Sequence, residues 1–179
     1  MVTAPTDYDF GDSSNYSFVE NITCANDDAR KMFVEAFGHM LNYNHEQAIA
    51  CFSKCTEIDP NCAMAWWGIA YCVSSNYNWA PGLGSGHDAI QQAISVMDHC
   101  TELEKDLINA LSTRHSAEAR DAADPSVLNM GNSPELNVAF AEAMKPLYEK
   151  YSGNLDVTAI YVEALMNLKA WQLWDKDTK

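Results

Sequence analysis

Glu35 and His39 are four residues apart and so share one face of any helix that carries them, a spacing that offers a carboxylate and an imidazole to one metal ion. His45 opens the next apolar run. Glu163 takes the place of Glu35 in a second copy of a short pattern, Phe33-Val34-Glu35-Ala36-Phe37 against Tyr161-Val162-Glu163-Ala164-Leu165. A metal-binding protein or enzyme built on these groups would place its site where His39, His45 and the Asn76 to Trp79 turn converge. The diagnostic patterns are missing, however. There is no H-E-x-x-H, no C-x-x-C pair and no paired E-x-x-H, and Cys51 with Cys55 falls on an apolar helix face. Neither a metal nor another cofactor is therefore assigned. No G-x-S-x-G elbow, nucleophile-type cysteine or acid/base pair stands out, so no catalytic residue is assigned either. Gly82-x-Gly84-x-Gly86 follows no strand, which removes a phosphate-binding loop. His99 and His115 lie near helix ends, where an imidazolium suits the C-terminal dipole.

The elements that must position these groups belong to a chain of 179 residues, 47% hydrophobic and 20% charged, with a formal net charge of -14. That charge repels nucleic-acid phosphates and anionic lipid, and no basic block offsets it. The longest nearly uncharged apolar stretch, 62 to 73, is far short of the roughly 20 residues that cross a bilayer. The amino terminus has no basic start and no apolar h-region, so a cytoplasmic or other soluble intracellular location is expected. Five of the six cysteines, Cys51, Cys55, Cys62, Cys72 and Cys100, fall at small apolar-compatible helix positions and read as buried free thiols. The sequons at Asn15 and Asn21 point weakly the other way. Residues 1 to 25, with Asp7, Asp9 and Asp12 among Gly, Ser and Asn, lack a helical period and read as an acidic extended arm; 26 to 179 form the helical domain.

About seven helices are expected. Met32, Phe33, Ala36, Phe37, Met40 and Leu41 keep a 3.6-residue period, and Ala48, Ile49, Cys51, Phe52, Cys55 and Ile58 keep another after an Asn-rich turn. Asp59-Pro60 stops this second helix. A third starts at Ala63 and breaks before the Pro81 to Gly86 stretch; a fourth spans about 88 to 99. Thr101-x-x-Glu104 is a capping box that opens the fifth. Residues 116 to 132 are polar and read as a loop. Ser133-Pro134 starts a sixth helix that Gly153 follows, and the seventh covers about 156 to 168.

A 34-residue period links the first two hairpins. Counted from Ala29, position 8 is Ala36, position 20 Ala48, position 24 Phe52 and position 32 Pro60; counted from Ala63, position 4 is Trp66, position 7 Ile69 and position 8 Ala70. This pattern resembles the tetratricopeptide repeat, and Ala164 supplies a further position 8. The segments 43–45, 62–70, 76–78 and 165–168 with Trp171 and Trp174 look like a group of longer tetratricopeptide-repeat proteins. The resemblance implies an all-α superhelix of stacked antiparallel hairpins, and either a piece of a longer repeat protein or a short form whose last helix docks on a partner.

In such repeats the first helix of each hairpin lines a concave groove. The matching positions here include Phe33, Phe37, Met64, Trp67 and Tyr71, with Trp66 placed between hairpins as core. Repeats that clamp chaperone carboxylates carry Lys and Asn where this chain has Phe33 and Phe37, so that role is not implied. An aromatic groove suits an amphipathic helix or apolar peptide. Alternatively, these side chains are core, covered by the amino-terminal arm or by further repeats. The loop residues Asn76, Tyr77, Asn78 and Trp79 are the best polar contact site. The expected function is a protein- or peptide-binding scaffold, with a homo-oligomer or a structural subunit of a larger assembly as further readings.

Overall fold

The computed structural model describes residues 22–74, 76–78, 86–115, 134–172 and 174. Within them the chain forms α1 (Asp27–Leu41), α2 (His45–Ile58), α3 (Ala63–Val73), α4 (His87–Val96), α5 (Glu102–Ser112), α6 (Pro134–Lys150) and α7 (Leu155–Met166). Single 3₁₀ turns, Met97–His99 and Asn167–Lys169, extend α4 and α7. No strand occurs among the described residues. Each helix from α1 to α6 packs on its successor, as does α6 on α7, and α3 also touches α1 and α5. The all-α stacked arrangement expected from the periodicity is present. Residues 1 to 21 of the expected arm, Trp79, 81 to 85 of the glycine-rich stretch and the 116 to 132 loop lie outside the described residues.

Local chemistry explains the ends. Asn26 caps α1 by accepting from the Ala29 N–H, and Asn154 caps α7 by accepting from Asp156 and Val157. Thr101 and Glu104 form the capping box of α5 in both directions. Gly153 adopts φ +93°, a backbone conformation that costs a side chain but not glycine, and this separates α6 from α7.

The interior follows the small-and-large alternation. Ala36, Ala48 and Ala70 have no exposed surface, and neither does Phe52. A Cβ placed on Gly68 would come within 2.6 Å of Phe52 Cε1 and Cε2, so α2 and α3 approach at a position only glycine allows. The two adjacent tryptophans exchange their expected roles. Trp67 is fully buried and donates from Nε1 to the Leu107 carbonyl at 3.2 Å, while Trp66 is only partly buried and donates to the Pro60 carbonyl. The reason is the 100° step between neighbours on a helix: α3 meets α5 as well as α2, and the Trp67 face points to α5.

The expected arm boundary also shifts. Ile22 is 3% exposed and joins the core, the Ala25 N–H donates to Asp59 Oδ2 at 2.6 Å, and the Thr23 N–H donates to Glu104 Oε1 at 2.6 Å. Residues 22 to 25 are therefore fastened to α5 and to the end of α2. All six cysteines are free thiols, and the five expected to be buried are buried.

Candidate functional site

Phe33, Phe37, Met64 and Trp67 have no exposed surface and Tyr71 is 3% exposed. These five expected groove residues are interior packing, and a ligand cannot reach four of them in this arrangement. Phe33 stacks on Phe37 and meets Phe52 with ring centroids 5.4 Å apart, while Trp67 packs against Tyr71. Helical period alone cannot separate a groove stripe from a core stripe, because both are apolar.

Three aromatic residues with surface exposure, Tyr43, Tyr77 and Trp171, lie elsewhere and near one another, while exposed Tyr148 stacks on Tyr161. Tyr43 lies in the α1–α2 turn and stacks on His45 at 5.8 Å; His45 Nδ1 meets the Cys72 carbonyl at 3.0 Å. Burial, then Glu163 and Tyr77 within electrostatic reach, pushes the Tyr43 hydroxyl pKa up. Tyr77 stacks on Trp171 at 5.3 Å, joining the loop after α3 to the chain beyond α7. Tyr71, on the floor, donates its hydroxyl to Glu163 Oε2. Burial, then the Glu163 carboxylate, holds the Tyr71 phenol well above its ordinary pKa, so it stays a donor.

Behind this floor Arg114 is buried, donates from Nε to Asn137 Oδ1 at 3.0 Å and lies over the Phe140 ring at 5.4 Å. Burial lowers its pKa, against the opposing pull of Tyr71 and Glu163. The guanidinium steadies the Tyr71–Glu163 pair from inside. Tyr43 and Trp171 are also the non-glycine residues with left-handed backbone among the described residues, at φ 60° and 62°. Such backbone costs about 1–3 kcal/mol and tends to collect where a site needs it. Tyr43 is 39% exposed and Trp171 73%. Of the expected loop contacts, Tyr77 belongs to this cluster; Asn76 Oδ1 accepts from the Asn78 N–H and shapes the turn. Tyr43 and Trp171 are not among the expected contact residues: both lie in turns, where no helical period marks them.

The expected site joins His39 and His45 at the Asn76 to Trp79 turn, of which Trp79 lies outside the described residues; among those described, His39 groups with Glu35 and Cys51 and not with His45. His45 is engaged by the end of α3 and Glu163 by Tyr71, while Glu35 and His39 stay together on α1. Burial raises the Glu35 carboxyl and lowers the His39 imidazole, which favours the neutral form of each.

A serine and a histidine do meet. Ser74 Oγ lies 3.1 Å from His115 Nε2, but the same hydroxyl donates to the Ala70 carbonyl at 2.9 Å and so closes the last turn of α3. His115 also abuts Gly86, where a Cβ would come 2.8 Å from Nε2. Burial, then the Arg114 charge, pulls His115 from 6.5 down to about 4. The folded state therefore binds fewer protons than the unfolded one between these values. Stability from this group is complete above about 6.5 and falls as pH drops toward 4, by about 2 kcal/mol after allowance for partial exposure. Urea denaturation at both pH values should show this slope in the wild type and a shallower one in His115→Gln. Equal slopes would remove His115 as the cause.

No protein-family model matches the chain, and no curated protein or solved structure shows significant similarity to it.

Proposed function

We propose that the chain is a tetratricopeptide-like binding module that takes a basic, extended peptide at the mouth formed by Tyr43, His45, Tyr77, Glu163 and Trp171. The observation that carries this reading is the convergence of half-exposed and exposed aromatic rings over the Tyr71–Glu163 pair, two of them on left-handed backbone. Aromatic anchors around a polar floor are the usual source of binding energy in peptide recognition. A net charge of -14 favours a cationic partner, and Tyr and Trp faces attract Lys and Arg. Small residues at repeat positions 8 and 20 and the Gly68–Phe52 approach support the repeat assignment.

Selection from a random peptide display library tests the proposal. Enriched sequences should be rich in Lys and Arg, and Trp171→Ala and Tyr77→Ala should each weaken their binding at least about tenfold, or 1.4 kcal/mol. Both positions are far enough outside the core for circular dichroism to stay unchanged. Selected peptides that bind the variants as tightly as the wild type would overturn this site.

A second reading, a subunit of a larger assembly, is favoured by one observation. Leu155, Val162, Leu165 and Leu168 are exposed at seven- and three-residue intervals along α7 and its extension, an apolar stripe of the kind that neighbouring repeats cover. Among the described residues no helix is long and apolar enough to cross a membrane, so the stripe is not a bilayer span.

A further inference from the structure

We propose that Glu35, His39 and Cys51 bind one zinc ion between α1 and α2. One carboxylate oxygen, one imidazole nitrogen and the Cys51 sulfur all lie within 4.8 Å of one another. Tetrahedral zinc, with bonds of about 2.0–2.3 Å, needs its ligands roughly 3.3–3.8 Å apart, so small side-chain rotations close the set. The backbone prepares this arrangement. Glu35 and His39 stand one turn apart on α1, and Ala36 and Ala48, both without exposed surface, belong to the interior that α1 and α2 share.

The setting also favours a cation. Cys51 has no exposed surface and His39 is 2% exposed. Glu35 Oε1 is buried with no hydrogen-bond partner among the described residues, a state that costs a carboxylate dearly and that a metal bond relieves. On ligation the Cys51 thiol, and the Glu35 carboxyl to the extent that it is protonated, release their protons to solvent. A carboxylate, a thiolate and a neutral imidazole then balance the two positive charges, and a neutral assembly can remain buried. Gln47 Nε2, 3.8 Å from the Cys51 sulfur, is placed to donate to the thiolate.

The donor set chooses the metal. Oxygen-preferring Mg²⁺ and Ca²⁺ gain nothing from sulfur, whereas mixed sulfur, nitrogen and oxygen donors suit zinc. Three protein ligands leave a fourth position for water on the side of Glu35, the one member of the set that is only partly buried. Zinc here joins the two arms of the first hairpin, a role independent of the peptide mouth.

Cobalt(II), a spectroscopic stand-in for zinc, provides the test. Chelator-stripped protein should bind one equivalent, show a thiolate-to-cobalt charge-transfer band, and lose that band when zinc is added. Cys51→Ala should abolish the band, and Cys100→Ala, a control at another buried cysteine, should keep it. Glu35→Gln, of the same shape, should weaken binding by more than the roughly tenfold typical of losing an outer-shell partner. Circular dichroism confirms that each variant is folded. No band in the wild type, or a band that survives Cys51→Ala, overturns the proposal; if Cys51→Ala does not fold, unchanged cobalt affinity in Glu35→Gln overturns it instead.

Discussion

Trp67→Ala is expected to lower the unfolding free energy by about 3–5 kcal/mol, the range for removing a large aromatic side chain from a filled core. The side chain is fully buried, contacts Tyr71, and its indole N–H satisfies the Leu107 carbonyl of α5. Truncation leaves a cavity between α3 and α5 and removes the tie from the indole to the α5 backbone, and neither helix can move in without losing its other contacts. Trp66→Ala, one residue away, should cost less than about 2 kcal/mol, because that ring is partly in water and its bond to Pro60 is on the surface. Urea denaturation with an unchanged slope separates the two. A Trp66 effect equal to or larger than the Trp67 effect would mean that the helix is rotated from the orientation described.

Glu104→Ala should cost about 4 kcal/mol, far more than loss of a helix cap. The carboxylate is 1% exposed and accepts from four donors: the Thr23 N–H and hydroxyl, and the Thr101 N–H and hydroxyl. Hydrogen bonds to a charged acceptor contribute about 1.5–3 kcal/mol each when taken singly, and much less than additively when they share one carboxylate. Thr101→Ala is the matched control and should cost about 1 kcal/mol, since it removes the cap and one of the four donors but leaves both bonds from Thr23 in place. Hydrogen exchange at the Thr23 amide should accelerate sharply in Glu104→Ala and little in Thr101→Ala. If the two variants were equally stable, the long-range clamp would contribute nothing.

Glu104 also shows how far the sequence could be read. Thr101-x-x-Glu104 is a local signal, and it correctly marks where α5 begins. That the same carboxylate holds Thr23, 81 residues earlier, leaves no local trace, because pairing over that distance depends on the stacking of all the helices between. The burial of Ala36, Ala48, Phe52 and Ala70 was legible from the helical period of each apolar run. The arm boundary was not. Ile22 to Ala25 has no helical period, and only its contacts with Asp59 and Glu104 bring it into the body.

The candidate sites divide in the same way. Glu35 and His39 are one turn apart on a single helix, so their pairing follows from spacing; Cys51 reads as core until α2 folds back and turns its sulfur toward them. His45 and Glu163, drawn to the same metal by type, are claimed by the Cys72 carbonyl and the Tyr71 hydroxyl. The aromatic residues at groove positions are buried, while Tyr43, Tyr77 and Trp171, which lie in turns, come together at the surface. What the sequence determined by itself are the helices, the capping box of α5 and the small apolar positions on each helix, since each depends on neighbours within a few turns. Which face of a helix meets water, and which distant groups share a site, was decided by tertiary packing, because an apolar stripe has the same period whether it is covered or open.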